Sequence, residues 1–150
     1  HNVSSAASDV YKRQVNKTGV TISHIFDVEG EEKFRTREIE VFSDLFNKDN
    51  CVISTGGGVV LAELNRELLK KGTVLYLKTS IQTQLERTMN DKDRPLLSGK
   101  NNKENTLRNI AKIRNPLYEE LSTFIIEETD NPNQTVDSIL DILGKNKWKS

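Results

Sequence analysis

Three short apolar runs stand out: CVIS at 51–54, TVLYL at 73–77 and FII at 124–126, with helical-period segments between them. This alternation constrains the chain most. A brief strand with little polar alternation is built for the inside of a sheet. Strands separated by amphipathic helices form βαβ units, hence a parallel sheet with helices on both faces. We therefore expect an α/β domain. Its ligand crevice should lie beyond the carboxyl ends of the strands, so the segments after Ser54, Leu77 and Ile126 are the places to search.

The first helix is expected to be capped by Asp27, with Glu29, Glu31 and Glu32 at the positive end of its dipole. Its inward stripe reads Phe34, Glu38, Val41, Phe42, Leu45 and Phe46. After the glycines at 56–58, Leu61, Leu64 and Leu68 mark a second helix face, closed by Gly72. Thr79 and Gln82 suit a capping box for a helix with Ile81 and Leu85 inward. Residues 90–103 (NDKDRPLLSGKNNK) lack a period and read as a loop. Leu107, Ile110 and Ala111 lie on a helix expected to break near Pro116, and Val136, Ile139, Leu140 and Leu143 on a last one ending at Gly144. Residues 1–14 (HNVSSAASDVYKRQ) show no period and predict neither strand nor helix. They look like translated read-through, so we expect a non-native leader before a domain over 15–150.

The 150 residues suit one domain, and Lys+Arg and Asp+Glu balance at 22 each, which gives no electrostatic footprint for nucleic acid or an acidic membrane. No apolar run nears the roughly 18 residues of a membrane span. Cys51 is the single cysteine, compatible with a reducing cytoplasm. Neither histidine has metal-ligand spacing. We expect a cytoplasmic monomer whose partner is a small molecule, with no nucleic acid, no membrane and no metal ligand among these residues.

Several residues could carry chemistry. Gly57 and Gly58 follow a strand end, where bare backbone can approach a ligand or simply turn the chain. Glu38 falls on an apolar stripe and needs a partner, for which Arg35 is nearest. The pair is either a structural ion pair or a device that aims the Arg35 fork at an anion. Arg114 continues the stripe of Leu107 and Ile110, where it either satisfies carbonyls at a helix end or binds a carboxylate. Arg94 lies in the polar loop, which is either solvated or a lid. Arg87 is either surface charge or a stacking partner for a base.

Taken in order, FRTRE at 34–38, STGGG at 54–58, RPLL at 94–97 and RNPLY at 114–118 resemble the signature of the shikimate kinases, supported by TGVTISHIFDVEGEEKFR and TVLYLKTS. The resemblance covers about 16–143. It implies a P-loop NTPase fold of the nucleoside-monophosphate-kinase-like type and transfer of the γ-phosphoryl group of ATP to the 3-hydroxyl of shikimate. It further implies that Arg35 and Arg114 hold the shikimate carboxylate and Glu38 orients Arg35. Gly57 and Gly58 would lie near the ring. Arg94 would close with a lid over about 90–103 as the catalytic arginine, also meeting the nucleotide. Arg87 would pack on adenine, with Asn131 on the other side of that site.

The family's GxxxxGK[ST], which cradles phosphates and Mg²⁺, does not occur in the chain. The resemblance therefore assigns the Mg²⁺ ligands to an N-terminal segment outside it. Of the sheet order 2-3-1-4-5, we expect strands 3, 4 and 5 only, with strands 1 and 2 missing, and an inactive fragment. The family's Asp-x-Asp slots fall on Asp9 and Tyr11, and the match at Asp9 is expected to be accidental. A gluconate kinase or a non-catalytic ligand-binding domain are the alternative readings.

Overall fold

The computed structural model describes residues 7–9, 22–49, 51–89 and 103–145. The elements are β1 (Ala7–Asp9), α1 (Ile22–Phe46), β2 (Val52–Ser54), a 3-10 turn (Gly57–Leu61), α2 (Glu63–Leu69), β3 (Leu75–Lys78), α3 (Ile81–Thr88), α4 (Lys103–Leu121), β4 (Phe124–Glu127) and α5 (Pro132–Lys145). All pairing is parallel. β1 lies beside β2 with Asp9 opposite Ser54, and β3 beside β4 with Leu77 opposite Ile126. The two pairs form separate two-stranded sheets. This is the α/β class expected, and a gap between β2 and β3 is what an order with one more strand between them requires.

β1 corrects the expectation that residues 1–14 form no strand and that strand 2 is missing. Residues 7–9 were expected to form no strand, yet they occupy the strand 2 position beside β2. The hydrogen-bonding edge of β2 recruits them, whereas a three-residue run is too short to show periodicity. The rest of residues 1–14 lies outside the described residues, as does the expected lid over about 90–103 apart from Lys103. Cover over the strands is incomplete among the described residues: Val52, Leu77 and Ile125 are at least 45% exposed.

The core follows the α1 stripe. Val41, Phe42 and Leu45 pack with Val59, Val60 and Leu121, and Leu117 and Tyr118 flank them. Several local expectations shift. α1 begins before Asp27 and is interrupted at Gly30, whose φ of 81° and ψ of 168° define a conformation essentially reserved for glycine. Arg37 clamps the interruption through Glu29, at 2.6 Å. Leu64 points outward because Val59 and Val60 of the 3-10 turn take the core places and α2 presents Asn65 instead. Val136 and Leu140 likewise face outward. Ser80, rather than Thr79, caps α3 by accepting from the Thr83 amide.

Pro116 does not end its helix. α4 runs through it to Leu121. An internal proline forfeits one backbone bond and costs about 3 kcal/mol. Here the next turn is anchored in the core by Leu117, Tyr118 and Leu121, which carries the helix past the defect.

Candidate functional site

Glu38 sits at the centre of the site because helical spacing leaves it no other direction. It follows Phe34 by one turn and precedes Phe42 by one, and all three are 1% exposed. A carboxylate so placed requires a cation. Arg35 provides it, donating from Nη1 to Glu38 Oε1 at 2.8 Å. The same guanidinium reaches Glu31 at 3.3 Å on its wetter side and lies 5.0 Å from the Phe34 ring centroid. Glu38 Oε2 is buried without a hydrogen-bond partner among the described residues.

Burial raises the Glu38 pKa above its usual 4.5, against the opposing pull of Arg35 and, more weakly, Arg114. The folded chain thus holds this proton more tightly than the unfolded one. The stability that Glu38 contributes is complete below the ordinary 4.5 and is lost as pH rises through the higher folded value. Between about pH 4.5 and 7, wild type should therefore lose more thermal stability than a Glu38→Gln variant, which has no proton to release. Paired melts across that range measure this. Parallel curves would remove the argument.

The 3-10 turn closes the other side. A Cβ placed on Gly58 would lie 2.3 Å from Arg35 Nη1, and one on Gly57 would lie 2.6 Å from the Tyr118 hydroxyl and 3.6 Å from Arg114 Nη1. Glycine is needed at these two positions for close approach. Arg114 falls inside α4, seven residues before its end, so it does not serve carbonyls at a helix terminus. It neighbours Tyr118 and the turn. Two guanidinium groups thus converge on a side-chain-free backbone at the carboxyl end of β2. The strand register brings Asp9 level with Ser54, the last residue of β2 and three before Gly57. A shallow recess lined by Leu69, Lys70, Gly72 and residues 120–123 shares none of these groups.

Arg87 and Asn131 belong to a second locus beyond β3 and β4. Arg87 Nη1 meets Glu128 Oε1 at 2.7 Å, and the Thr79 hydroxyl donates to the other oxygen of Glu128. The Thr79 hydrogen bond, then Arg87, holds the Glu128 pKa below the usual carboxylate range. Asn131 caps α5: its side chain accepts from the Asn133 amide at 3.0 Å. Arg94 lies outside the described residues. Among the described residues, no group of three His, Cys, Asp or Glu is placed to hold a metal ion.

Sequence reasoning missed Tyr118 and Glu128. Tyr118 was legible in principle, four residues after Arg114 and so on the same helix face. Glu128 gave no comparable signal, because its partners are 41 and 49 residues away in sequence.

A family model described as shikimate kinase matches residues 8–144. The shikimate kinase of Histophilus somni (strain 2336) is 43% identical over 129 residues, spanning 82% of this chain and 74% of that relative. That of Buchnera aphidicola subsp. Schizaphis graminum is 46% identical over 132 residues, spanning 86% and 76%. Among solved structures, shikimate kinase from Acinetobacter baumannii in complex with shikimate superposes with a TM-score of 0.87 at 40% identity, over 93% of this chain and 79% of that one. The Aquifex aeolicus enzyme gives 0.78 at 32% identity, over 96% and 84%.

Proposed function

The chain belongs to the shikimate kinase family, and on that premise we propose that its paired-arginine site holds shikimate for phosphorylation at the 3-hydroxyl by ATP. One observation carries the reading: Arg35, Arg114 and the Gly57–Gly58 backbone meet at one place. A planar guanidinium matches a carboxylate, and two of them fix its orientation. Bare backbone beside them accommodates a hydroxylated ring. Glu38 holds Arg35 in position and keeps the pair from being a naked cation cluster.

Phosphoryl transfer is mainly positioning plus charge neutralisation. In this reading the described residues supply the acceptor half: they bind the carboxylate, orient the ring and bring its hydroxyl to the crevice. Arg87, steadied by Glu128, packs against the base of ATP, the Asn131 loop lies across from it, and Arg94 closes over both substrates.

Because GxxxxGK[ST] does not occur among the 150 residues, they should bind shikimate yet give no ATP-dependent turnover by themselves. Calorimetric titration should show shikimate binding below about 1 mM, with gluconate not binding, and an assay for shikimate phosphate should stay at background. Equal affinity for gluconate, or none for shikimate, would overturn the substrate assignment. Turnover would overturn the second part alone.

A further inference from the structure

We propose that Tyr118 is a positioning residue that ties the glycine turn to the helix bearing Arg114, and so sets the distance between the ring-binding backbone and the carboxylate-binding arginine. The inference rests on the shikimate reading above and deepens it.

Four carbonyls of the turn accept hydrogen bonds from side chains. Asn65 Nδ2 reaches Val59 O at 3.0 Å, and Arg66 Nη1 reaches Val60 O at 2.9 Å and Leu61 O at 2.8 Å. Both of those residues come from α2, the helix the turn leads into, so these bonds hold the turn to its own continuation. The fourth is different. Gly57 O accepts from the Tyr118 hydroxyl at 2.7 Å, across 61 residues of sequence, and Tyr118 stands on α4.

Arg114 lies one turn earlier on that helix, on the same face. The Tyr118 ring is itself fixed: its centroid is 5.0 Å from that of Tyr76 on β3, and it flanks the core cluster. Burial pushes the phenol pKa above its usual 10, against the pull of Arg114, so the hydroxyl keeps its proton at any physiological pH. A rigid, always-protonated donor thus spans the two halves of the site. A ligand whose hydroxyls meet the glycine backbone depends on this span, whereas one held through its carboxylate alone does not.

The test uses Tyr118→Phe and two ligands, shikimate and cyclohex-1-ene carboxylate, which keeps the carboxylate and lacks the ring hydroxyls. Calorimetric titration of the whole chain should show shikimate bound about fivefold to tenfold more weakly by the variant, the range one neutral hydrogen bond supports. Affinity for the plain carboxylate should be unchanged. The ratio of the two affinities does not depend on the fraction folded, so a variant of lower melting temperature still decides. An unchanged ratio, whether both ligands weaken or neither does, overturns the positioning role and leaves the substrate reading in place. Failure of the unmodified chain to bind shikimate removes that reading and this inference with it.

Discussion

Arg35→Ala should weaken shikimate binding by roughly 100-fold and cost about 3 kcal/mol of fold stability. The two losses have different origins. Binding falls because a charge-assisted contact to a carboxylate disappears. Stability falls because Glu38, 1% exposed and bonded to Arg35 at 2.8 Å, is left as a buried carboxylate without its main counter-ion. Glu38 answers partly by taking up a proton, so the stability cost should shrink on acidification.

A double variant separates the terms. Arg35→Met with Glu38→Leu removes both charges at similar volume, and buried pairs replaced in this way are often neutral or stabilising. Stability should therefore return while shikimate binding stays lost. Denaturant melts and calorimetric titration of the three proteins measure this. Recovery of binding together with stability would show that Arg35 serves the fold alone.

The parts of the site that could be read in the sequence were those governed by local periodicity. The spacing of Phe34, Glu38, Phe42 and Leu45 was enough to place a carboxylate in the core and to name Arg35 as its partner. Glycines after a strand end marked the backbone wall. What escaped depends on contacts distant in sequence. The Tyr118 bond to Gly57 spans 61 residues, and Glu128 is held by residues on α3 and at the end of β3. β1 forms because β2 offers an edge, and nothing in the sequence Ala-Ser-Asp announces a strand. Pro116 gave a true local signal that packing overrode. Local chemistry therefore named the two arginines and the turn, and tertiary structure supplied what holds them in register.

Gly58→Ala should approach Arg35→Ala in its effect on binding while leaving both charged residues in the chain. Neither Gly57 nor Gly58 has positive φ, so alanine meets no backbone objection at either position. The difference lies in what each new methyl would strike. At Gly58 it would come within 2.6 Å of three atoms of one planar group, Nη1, Cζ and Nη2 of Arg35. That group is pinned by Glu38 and cannot turn aside without breaking the buried bond. A guanidinium pushed out of line loses its charge-assisted contact to the ligand, a loss on the order of 100-fold in affinity. At Gly57 the methyl would meet the Tyr118 hydroxyl at 2.6 Å, with Arg114 Nη1 already at an ordinary 3.6 Å. One hydroxyl can yield more cheaply than a clamped guanidinium, so roughly a tenfold loss is expected there. Gly144→Ala, with open space around its Cβ, provides the neutral comparison. Shikimate titrations of the three variants should rank the losses Gly58 above Gly57 above Gly144, and the reverse order for the first two would show that the turn meets the ligand through Tyr118 rather than against Arg35.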